Sequence, residues 1–453
     1  MISRETNFSN AFFEIPESES IDGGTTTSGP LWHSANTRWG HSMHTMCSYH
    51  GMFPAKLAHY FIQAYTEPGD LVVDPFSGRG TVALQARVEQ RRTICNDLNP
   101  LAYTLSSAKA APPTWASVME HVADLEDQFS QSTTSAEPVS PDIQMLYHPH
   151  TLKQLCYLRN HLHTRPIAKW DAADLMLAGA LAGIMHGSHR RDGTSQYLSI
   201  SMPNTFSMSP TYVAKFIAEK KLIAPRQDVF ERIRDKLARL YVDATDGPEG
   251  LTYFDDASAF LDDERMEPRS VSLVLTSPPY LQVVNYGTAN WIRLWLLGVD
   301  EVGRERGAGR RSLDMLLDHR HTYSSYKTFM RGILRGIERV LAPNGVAAVV
   351  IGDVTQPGKD RVPLAQRLWE DVSDDTGLRL VTLIEDHLPI ESKVSRIWGE
   401  TKGQATDKDC ILVLARIGED VPEIARSIDW DEPYRDGGPD AAHTRLKSIR
   451  SAD

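Results

Sequence analysis

Cysteines are scarce in this sequence, and long apolar runs are missing. Only four cysteines occur among 453 residues, and no two of them form a C-x-x-C pair. This pattern indicates neither a disulfide framework nor a cysteine zinc site, and it fits a reducing compartment. The apolar stretches are short, and the N-terminus lacks the basic flank and apolar run of a secretory signal. We therefore expect a cytoplasmic protein that does not contact a membrane.

Positive charge is also low. The formal net charge is -11, whereas phosphate contacts usually come with a basic excess. Basic residues nevertheless outnumber acidic ones in residues 187–240, and a second basic stretch contains Arg304, Arg306, Arg310 and Arg311. Most charge runs are solvated faces. The two stretches are therefore candidates for nucleic-acid contact only where other motifs point to it.

The order of the first predicted elements favours a parallel sheet. Residues 1–30 are rich in Ser, Thr, Gly and Glu, lack apolar periodicity and are predicted to form a mobile arm. A strand at 71–73, a helix at 82–90 and a strand at 92–96 then succeed one another. This strand, helix, strand unit is typical of a parallel sheet with right-handed crossovers.

Residues 111–250 interrupt this order with a polar stretch followed by helical segments at 151–162, 172–185 and 227–241. The segment is therefore interpreted as an insertion. Further strands are predicted at 251–254, 271–275, 346–351, 378–384 and 410–414. Seven short strands separated by helices indicate an open α/β sheet with ligand sites at the carboxyl ends of its strands.

The segment DPFSGRGT, residues 74–81, lies where the first of these strands passes into a helix. Gly78 and Gly80 permit a sharp turn and a close approach of a ligand. Neither the phosphate-loop pattern nor a complete G-x-G-x-x-G pattern is present, so phosphate binding is not implied. Asp74 at the strand end suits a cationic ligand, and Asp97 at the next strand end is placed to accept hydrogen bonds from ribose hydroxyls. A simple tight turn is the alternative.

The string TSPPY, residues 276–280, comes directly after the strand predicted at 271–275. Two consecutive prolines fix the backbone and remove two N–H donors, which leaves carbonyl oxygens free as acceptors. A base amine is a poor nucleophile because its lone pair is delocalised into the ring. Ser277 Oγ and the Pro278 carbonyl are candidates to hold its N–H groups. Tyr280 offers a stacking face for a base flipped out of a duplex. The alternative is an ordinary Pro-Pro turn.

Together these motifs resemble those of the amino-methyltransferases of DNA, which transfer a methyl group from S-adenosylmethionine to cytosine N4 or adenine N6. DPFSGRGT is similar to the cofactor loop of that family, and TSPPY is similar to its catalytic motif. FPAKL, residues 53–57, resembles the segment that closes over the methionine end of the ligand. Residues 285–295 resemble the segment after the catalytic motif in the cytosine-N4 group.

The resemblance implies a Rossmann-like class I S-adenosylmethionine-dependent methyltransferase fold, which is α/β with a seven-stranded, mostly parallel sheet and here a large helical insertion. It also implies a division of the chain. The parts are the mobile arm 1–30, the cofactor-binding half 31–110, the insertion 111–250 with target recognition, the catalytic half 251–418 and a charged tail 419–453.

The same resemblance implies site residues. The cofactor loop would surround the methionine moiety, Asp97 the ribose, and Asp256 with Ala257 the adenine amine, although the sequence does not distinguish Asp255 from Asp256. The implied cofactor-binding residues are Phe53, Pro54, Lys56, Asp74, Pro75, Phe76, Ser77, Gly78, Gly80, Thr81, Asp97, Leu98, Asp256 and Ala257. The implied catalytic residues are Ser277, Pro278, Pro279 and Tyr280.

Serine at the first catalytic position is typical of the cytosine-N4 enzymes in this family, whereas Asp or Asn is commoner in the adenine-N6 enzymes. We therefore predict direct methyl transfer to cytosine N4 of a flipped-out base, with adenine N6 open. An RNA guanine-N2 methyltransferase and a DNA-binding module without turnover also remain open. Methyltransferases that act on a base carbon need a nucleophilic cysteine, commonly after proline, and no cysteine here follows a proline.

Double-stranded DNA is the implied partner, and a companion restriction endonuclease and the oligomeric state stay open. Within the insertion, the candidates for contact with phosphates or base edges are Arg190, Arg191, Gln196 and Asn204. The alternative is a helical subdomain that only packs on the sheet or forms a dimer contact.

Two groups of residues look like metal-binding patterns but do not predict a metal site. The spacing of His33, His41, His44 and His50 with Cys47 resembles no metal motif, and methyl transfer requires no metal. Residues 391–393 imitate the E-x-K of metal-dependent nucleases, but no matching upstream Pro-Asp strand is present. No metal is expected.

Overall fold

The central strands of the sheet are apolar runs that are buried on both faces, as in a sheet covered by helices on each side. The structure is a computed structural model that describes residues 25–28, 32, 39–49, 51, 53–132, 139–203, 208–279, 286–299, 322–355, 361–387, 408–422 and 428–432. The strands are β1 Thr25–Ser28, β2 Leu71–Asp74, β3 Arg92–Asn96, β4 Leu251–Tyr253, β5 Val271–Thr276, β6 Leu341–Gly352, β7 Val354–Thr355, β8 Arg361–Val362, β9 Leu378–His387 and β10 Lys408–Arg416.

One eight-stranded sheet organises the described residues, in the order β1-β9-β10-β6-β5-β2-β3-β4. The β2, β3, β4, β5 and β6 strands run parallel, whereas β10 is antiparallel to both of its neighbours. The seven predicted strands are all present, and their mostly parallel arrangement confirms the predicted fold class. The separate hairpin of β7 and β8 was not predicted.

The helices begin at local signals in the sequence. Asn99 caps the helix that starts at Pro100, and Asp171 and Asp228 each accept a hydrogen bond from the first turn of the helix after them. The helices are α1 Ala55–Tyr65, α2 Thr81–Val88, α3 Pro100–Ala110, α4 Trp115–Gln131, α5 Pro141–Gln144, α6 Pro149–Leu162, α7 Ala172–Ala182, α8 Pro210–Lys220, α9 Val229–Leu240, α10 Ala257–Asp262, α11 Tyr286–Ala289, α12 Trp291–Leu296, α13 Tyr323–Val340 and α14 Leu364–Val372.

The inserted helices share a core with the cofactor-binding half. One apolar cluster contains Leu101 and Leu105 of α3, Leu177 and Leu181 of α7, and Leu237 of α9. This core also includes the buried apolar residues of α12, which lies after the TSPPY string. The inserted helices therefore pack against the helices that cover the sheet, and they share one hydrophobic core with them.

Two predicted peripheral segments contribute to this structure. Thr25–Ser28 lie in the predicted mobile arm, yet they pair in parallel with β9, because an extended segment satisfies its backbone groups at an open sheet edge. Trp430 in the predicted peripheral tail packs against Trp39 and His59, whose Nε2 lies 2.6 Å from the Asp429 carbonyl oxygen. The arm and the tail are thus partly anchored. Among the described residues, none of the helices has the length and apolarity needed to cross a membrane.

Candidate active site

A pocket opens at the carboxyl ends of four adjacent parallel strands, where the fold class places ligands. Asp74 ends β2, Asn96 ends β3, Asp256 lies after β4 and Ser277 lies after β5, and all four line the pocket. The predicted residues that line it are Phe53, Asp74, Pro75, Phe76, Ser77, Gly78, Thr81, Asp97, Leu98, Asp256, Ala257, Ser277 and Pro279. The two sequence motifs, nearly 200 residues apart in the chain, therefore meet at one place.

Four predicted residues of the described chain lie outside the pocket lining. Pro54 caps α1, and Lys56 is half-buried within that helix. Pro278 is buried, and its two neighbours in the chain, Ser277 and Pro279, line the pocket. Gly80 packs against α3 and must be glycine: its φ is +74°, and a Cβ there would lie 2.8 Å from Ser106 Cα. Tyr280, the predicted stacking residue, lies outside the described residues.

Asp74 is a buried carboxylate in the lining of the pocket. Its Oδ1 accepts hydrogen bonds from Thr276 Oγ1 at 2.7 Å and from the Phe76 N–H at 3.1 Å. Burial raises the pKa of Asp74 to about 7, in spite of these two hydrogen bonds. A cationic ligand beside this carboxylate would lower its pKa again. Thr276 thus links the last residue of β5 to the last residue of β2.

Asp97 fastens the cofactor loop to the end of β3. Its Oδ2 accepts a hydrogen bond from the Gly78 N–H at 2.9 Å, and its Oδ1 accepts one from the Asn99 N–H at 2.8 Å. Burial raises the pKa of Asp97 to about 6, although these backbone hydrogen bonds oppose the shift. Each carboxylate oxygen has a second lone pair, so Asp97 can hold the loop and still accept from a ligand.

The helix α3 holds the loop from the opposite side. Ser106 Oγ donates to Ser77 Oγ at 2.8 Å, and Lys109 Nζ donates to the Arg79 carbonyl at 2.5 Å. Arg79 in turn donates to the carbonyl of His44 at 3.2 Å. Burial keeps the pKa of Lys109 well below its usual value. The loop is therefore fixed before any ligand binds.

The structure distinguishes Asp256 from Asp255. Asp256 lines the pocket and caps α10, where its Oδ1 accepts from the N–H groups of Ser258 and Ala259. Asp255 instead lies 3.7 Å from Arg265, and its carbonyl accepts from Asn96 Nδ2 at 3.0 Å. Of the two neighbours, Asp256 is the one in position to contact a ligand.

Several pocket residues were missed from the sequence. They are Tyr49, Gly51, Asn96, Asn99, Tyr286, Tyr326 and Phe329, whereas Arg79 also lines the pocket but belongs to the predicted cofactor loop, residues 74–81. Asn96 and Asn99 flank Asp97, so their spacing offered a local signal. Tyr326 and Phe329 lie on α13, far along the chain from TSPPY, and only packing of this helix beside α10 brings them to the site.

Two polar atoms in the pocket residues are buried and have no hydrogen-bond partner among the described residues. They are Asn96 Oδ1 and Tyr326 Oη. A buried acceptor or hydroxyl without a partner costs about 1–3 kcal/mol, unless a ligand or water supplies one. Together with the buried carboxylate of Asp74 and the partly buried one of Asp97, they make the pocket suitable for a ligand with amine and hydroxyl donors and a positive charge.

The predicted DNA-contacting residues form one exposed loop on the insertion. Arg190, Arg191 and Gln196 lie on the surface between α7 and α8, and Asn204 lies outside the described residues. Much of the basic excess in residues 187–240 is structural. Lys236 is buried and donates to the Thr45 carbonyl, and Arg232 pairs with Asp235. The basic residues of this stretch with wholly or partly exposed side chains include Arg190, Arg191, Lys215, Lys220, Lys221 and Arg226.

The histidines near FPAKL have packing roles where the structure describes them. His41 Nε2 lies 2.9 Å from the Ala244 carbonyl oxygen, and His44 Nε2 lies 3.1 Å from Gln85 Oε1. Burial lowers the pKa of both histidines. His33, His50, the arginines at 304–311 and residues 391–393 lie outside the described residues.

Residues 17–107 match the sequence model of a family described as DNA methylase. The matched stretch contains FPAKL and DPFSGRGT and ends before TSPPY. The predicted resemblance to the amino-methyltransferases of DNA is thus confirmed for the part of the chain that carries the cofactor loop.

Curated relatives match over a short stretch. Type II methyltransferase M.XycI of Xanthomonas campestris pv. cyanopsidis is 47% identical over 55 residues, which is 12% of this chain and 18% of the relative. Type II methyltransferase M.PvuII of Proteus hauseri is 48% identical over 56 residues, which is 12% of this chain and 16% of the relative. The chain therefore spans less than a fifth of the length of these relatives.

Two solved structures also match this chain, at low similarity. TTHA0409 of Thermus thermophilus, complexed with S-adenosyl-L-methionine, is 18% identical over 36% of this chain and 53% of that chain, with a TM-score of 0.23. The rRNA methyltransferase aviRa of Streptomyces viridochromogenes is 13% identical over 82% of this chain and 89% of that chain, with a TM-score of 0.27. The strand order of the sheet, rather than these likenesses, carries the fold assignment.

Proposed function

We propose that this chain is an S-adenosylmethionine-dependent DNA methyltransferase that methylates the exocyclic N4 of a cytosine flipped out of the duplex. The observation that carries the proposal is the meeting of Ser277 and Pro279 with Asp74 and Asp97 in one pocket. The match of residues 17–107 to DNA methylases supports the same function class. The choice of cytosine over adenine rests on serine at position 277.

Residues of the β2 and β3 ends hold the cofactor. Asp74 compensates its positive charge, the loop from Pro75 to Gly78 surrounds the methionine moiety, and Asp97 accepts from the ribose hydroxyls. Asp256 and Ala257 contact the adenine, and the buried Asn96 Oδ1 and Tyr326 Oη gain partners there. The bound cofactor supplies an activated methyl group on its sulfonium, so no covalent enzyme intermediate is needed.

Residues after β5 hold the base. Ser277 Oγ and the Pro278 carbonyl accept hydrogen bonds from the target amine and favour electron density on its nitrogen, and Tyr280 stacks on the ring. Much of the acceleration comes from orientation, because the donor and the amine are brought together in a fixed geometry. The surface residues Arg190, Arg191 and Gln196 contact the DNA from the insertion.

Methyl transfer to defined nucleic acids tests this proposal. Purified protein is incubated with tritium-labelled S-adenosylmethionine and with either double-stranded genomic DNA or total RNA, and the modified nucleosides are identified by mass spectrometry. We expect label in DNA as N4-methylcytosine. N6-methyladenine as the product would contradict the cytosine assignment, and label in RNA alone would contradict the DNA assignment.

A matched pair of variants ties the activity to the pocket. Ser277→Ala removes the hydroxyl at the carboxyl end of β5, whereas Ser270→Ala removes a hydroxyl just before the same strand, where Ser270 Oγ donates to the Glu267 carbonyl. Transfer should be lost in the first variant and retained in the second. Equal activity of the two variants would show that Ser277 does not act on the amine.

A further inference from the structure

Three side chains with metal-binding atoms converge within the insertion, away from the pocket at the sheet edge. His121 of α4, His161 of α6 and Asp174 of α7 place one ligand atom each within 4.8 Å of the others. Both histidines direct Nε2 at the same carboxylate oxygen, with distances to Asp174 Oδ1 of 2.8 Å and 2.9 Å. Each residue comes from a different helix, so tertiary packing alone assembles the group.

We propose that His121, His161 and Asp174 form a site for a late first-row divalent transition metal, of which Zn²⁺ is the best fit. Two imidazole nitrogens and one carboxylate oxygen are a common zinc ligand set, with water in the fourth position. Ligand atoms about 2.0–2.2 Å from a tetrahedral ion lie about 3.3–3.6 Å apart, so each histidine Nε2 must move by about 0.5 Å from the carboxylate oxygen to admit the ion.

The surroundings of Asp174 support a metal ligand. The carboxylate is only 2% exposed, whereas the imidazoles of His121 and His161 are 21% and 28% exposed, so an ion can enter from the side of the histidines. Arg165 holds the other oxygen, Oδ2, and leaves Oδ1 directed at the two rings. Metal-ligating carboxylates are typically oriented by such a second hydrogen bond.

An ion at this position would join α4, α6 and α7 at one point. Because metal binding occurs only where the three helices are assembled, its binding free energy adds to the stability of the insertion. The proposal is independent of the methyl-transfer chemistry, since none of the three ligands lines the active-site pocket.

Metal titration of the full chain without an affinity tag tests the site. The protein is stripped with a chelator and dialysed, and Zn²⁺ and Co²⁺ are added in calorimetric and spectroscopic titrations. We expect one ion per chain, visible absorption bands of tetrahedral Co²⁺, and a Zn²⁺-dependent rise of the Tm. Absence of binding, or only weak octahedral Co²⁺ bands, would overturn the proposal.

Variants assign the site. Asp174→Asn and His161→Gln should each lower Zn²⁺ affinity by more than the about tenfold to hundredfold that outer-shell changes cost. His150→Gln is the control, because His150 also lies on α6 and is partly exposed, 3.8 Å from Asp228. If Asp174→Asn does not fold, His161→Gln alone decides. Unchanged affinity in the folded ligand variants would contradict the assignment.

Discussion

The carboxyl ends of the parallel strands and the insertion place aspartates in opposite electrostatic environments. Asp74 and Asp97 at the sheet edge have pKa values raised to about 7 and about 6, because burial dominates and no cation among the described residues compensates them. Asp174 in the insertion is also buried, yet hydrogen bonds from His121 and His161 keep its pKa low. Ionisation of Asp74 and Asp97 therefore carries an electrostatic cost that a cationic ligand can remove. For Asp174, histidine side chains of the inserted helices supply stabilising hydrogen bonds.

This contrast predicts a division of labour. Changes at the sheet edge should alter cofactor binding or methyl transfer and leave DNA affinity intact, whereas changes on the exposed face of the insertion should do the reverse. A variant that changed both properties equally would show that the two regions do not act separately.

The largest effect is expected for Ser277→Ala. Loss of a hydrogen-bonding group directed at the reacting centre typically lowers kcat by about 100- to 1,000-fold. Single-turnover rates on cognate DNA measure this loss, and the Kd for S-adenosylmethionine and for DNA should change by less than about twofold, because Ser277 acts on the amine in the transition state. A parallel loss of S-adenosylmethionine affinity in Ser277→Ala would contradict this, because it would show that Ser277 also binds the cofactor.

The pH dependence of cofactor binding should be the next largest effect. If the ionised form of Asp74 binds the cofactor, its pKa of about 7 implies affinity about 100-fold weaker at pH 5 than above pH 7. Calorimetry between pH 5 and pH 7.5 measures this slope. Asp74→Asn should bind weakly and show much less pH dependence across this range, leaving the smaller contribution of Asp97, whose pKa is about 6.

The same groups affect stability with a defined sign. The folded-state pKa of Asp74 lies above its ordinary value of 3.8, so the folded cofactor-free protein loses stability as the pH rises from about 4 to about 7. Saturating cofactor should offset this loss above pH 7. Urea unfolding at pH 5 and pH 8, with and without cofactor, checks the sign.

The double variant Arg190→Gln and Arg191→Gln tests the other side of the comparison. Removal of two phosphate contacts should weaken DNA binding about tenfold on all sequences. It should also make the slope of the logarithm of the binding constant against the logarithm of the salt concentration shallower by up to about two. Fluorescence anisotropy at several salt concentrations measures both. Cofactor affinity should be unchanged, and Arg335→Gln, on the exposed face of α13, serves as the control.

The smallest effect is expected for Tyr326→Phe. The Tyr326 hydroxyl is buried without a partner among the described residues, so its removal should leave the free energy of unfolding equal or slightly higher. Cofactor affinity should fall by about two- to tenfold, as for one lost hydrogen bond. Tyr323→Phe should instead lower the free energy of unfolding and leave cofactor affinity unchanged, because Tyr323 Oη donates to Asp371 at 2.9 Å.

Local features of the sequence were enough to predict the strands of the sheet and the two motifs that line the pocket. Strand-to-loop transitions at Asp74, Asp97 and Ser277 are local, and parallel strands bring their carboxyl ends to one edge. The predicted strand at residues 92–96 matches β3 Arg92–Asn96, and the others differ by a few residues at their ends. Thirteen predicted residues therefore line one pocket, as a consequence of topology.

Tertiary structure decided the features that depend on packing between distant elements. It placed Asp256 rather than Asp255 at the pocket, because Arg265 and Asn96 engage its neighbour. It brought Tyr326 to the site through α13, and it buried Lys236, which belongs to the basic stretch of residues 187–240.

The sequence by itself determined the fold class, the resemblance to the amino-methyltransferases of DNA and the strand ends that carry the chemistry. The reason is that these depend on short-range backbone geometry and side-chain type. Only the tertiary structure decided which buried carboxylates receive hydrogen bonds from histidine side chains of other helices, as Asp174 does, and which have a pKa raised by burial, as Asp74 has. Compensation depends on partners from other helices, which neither spacing nor composition reveals.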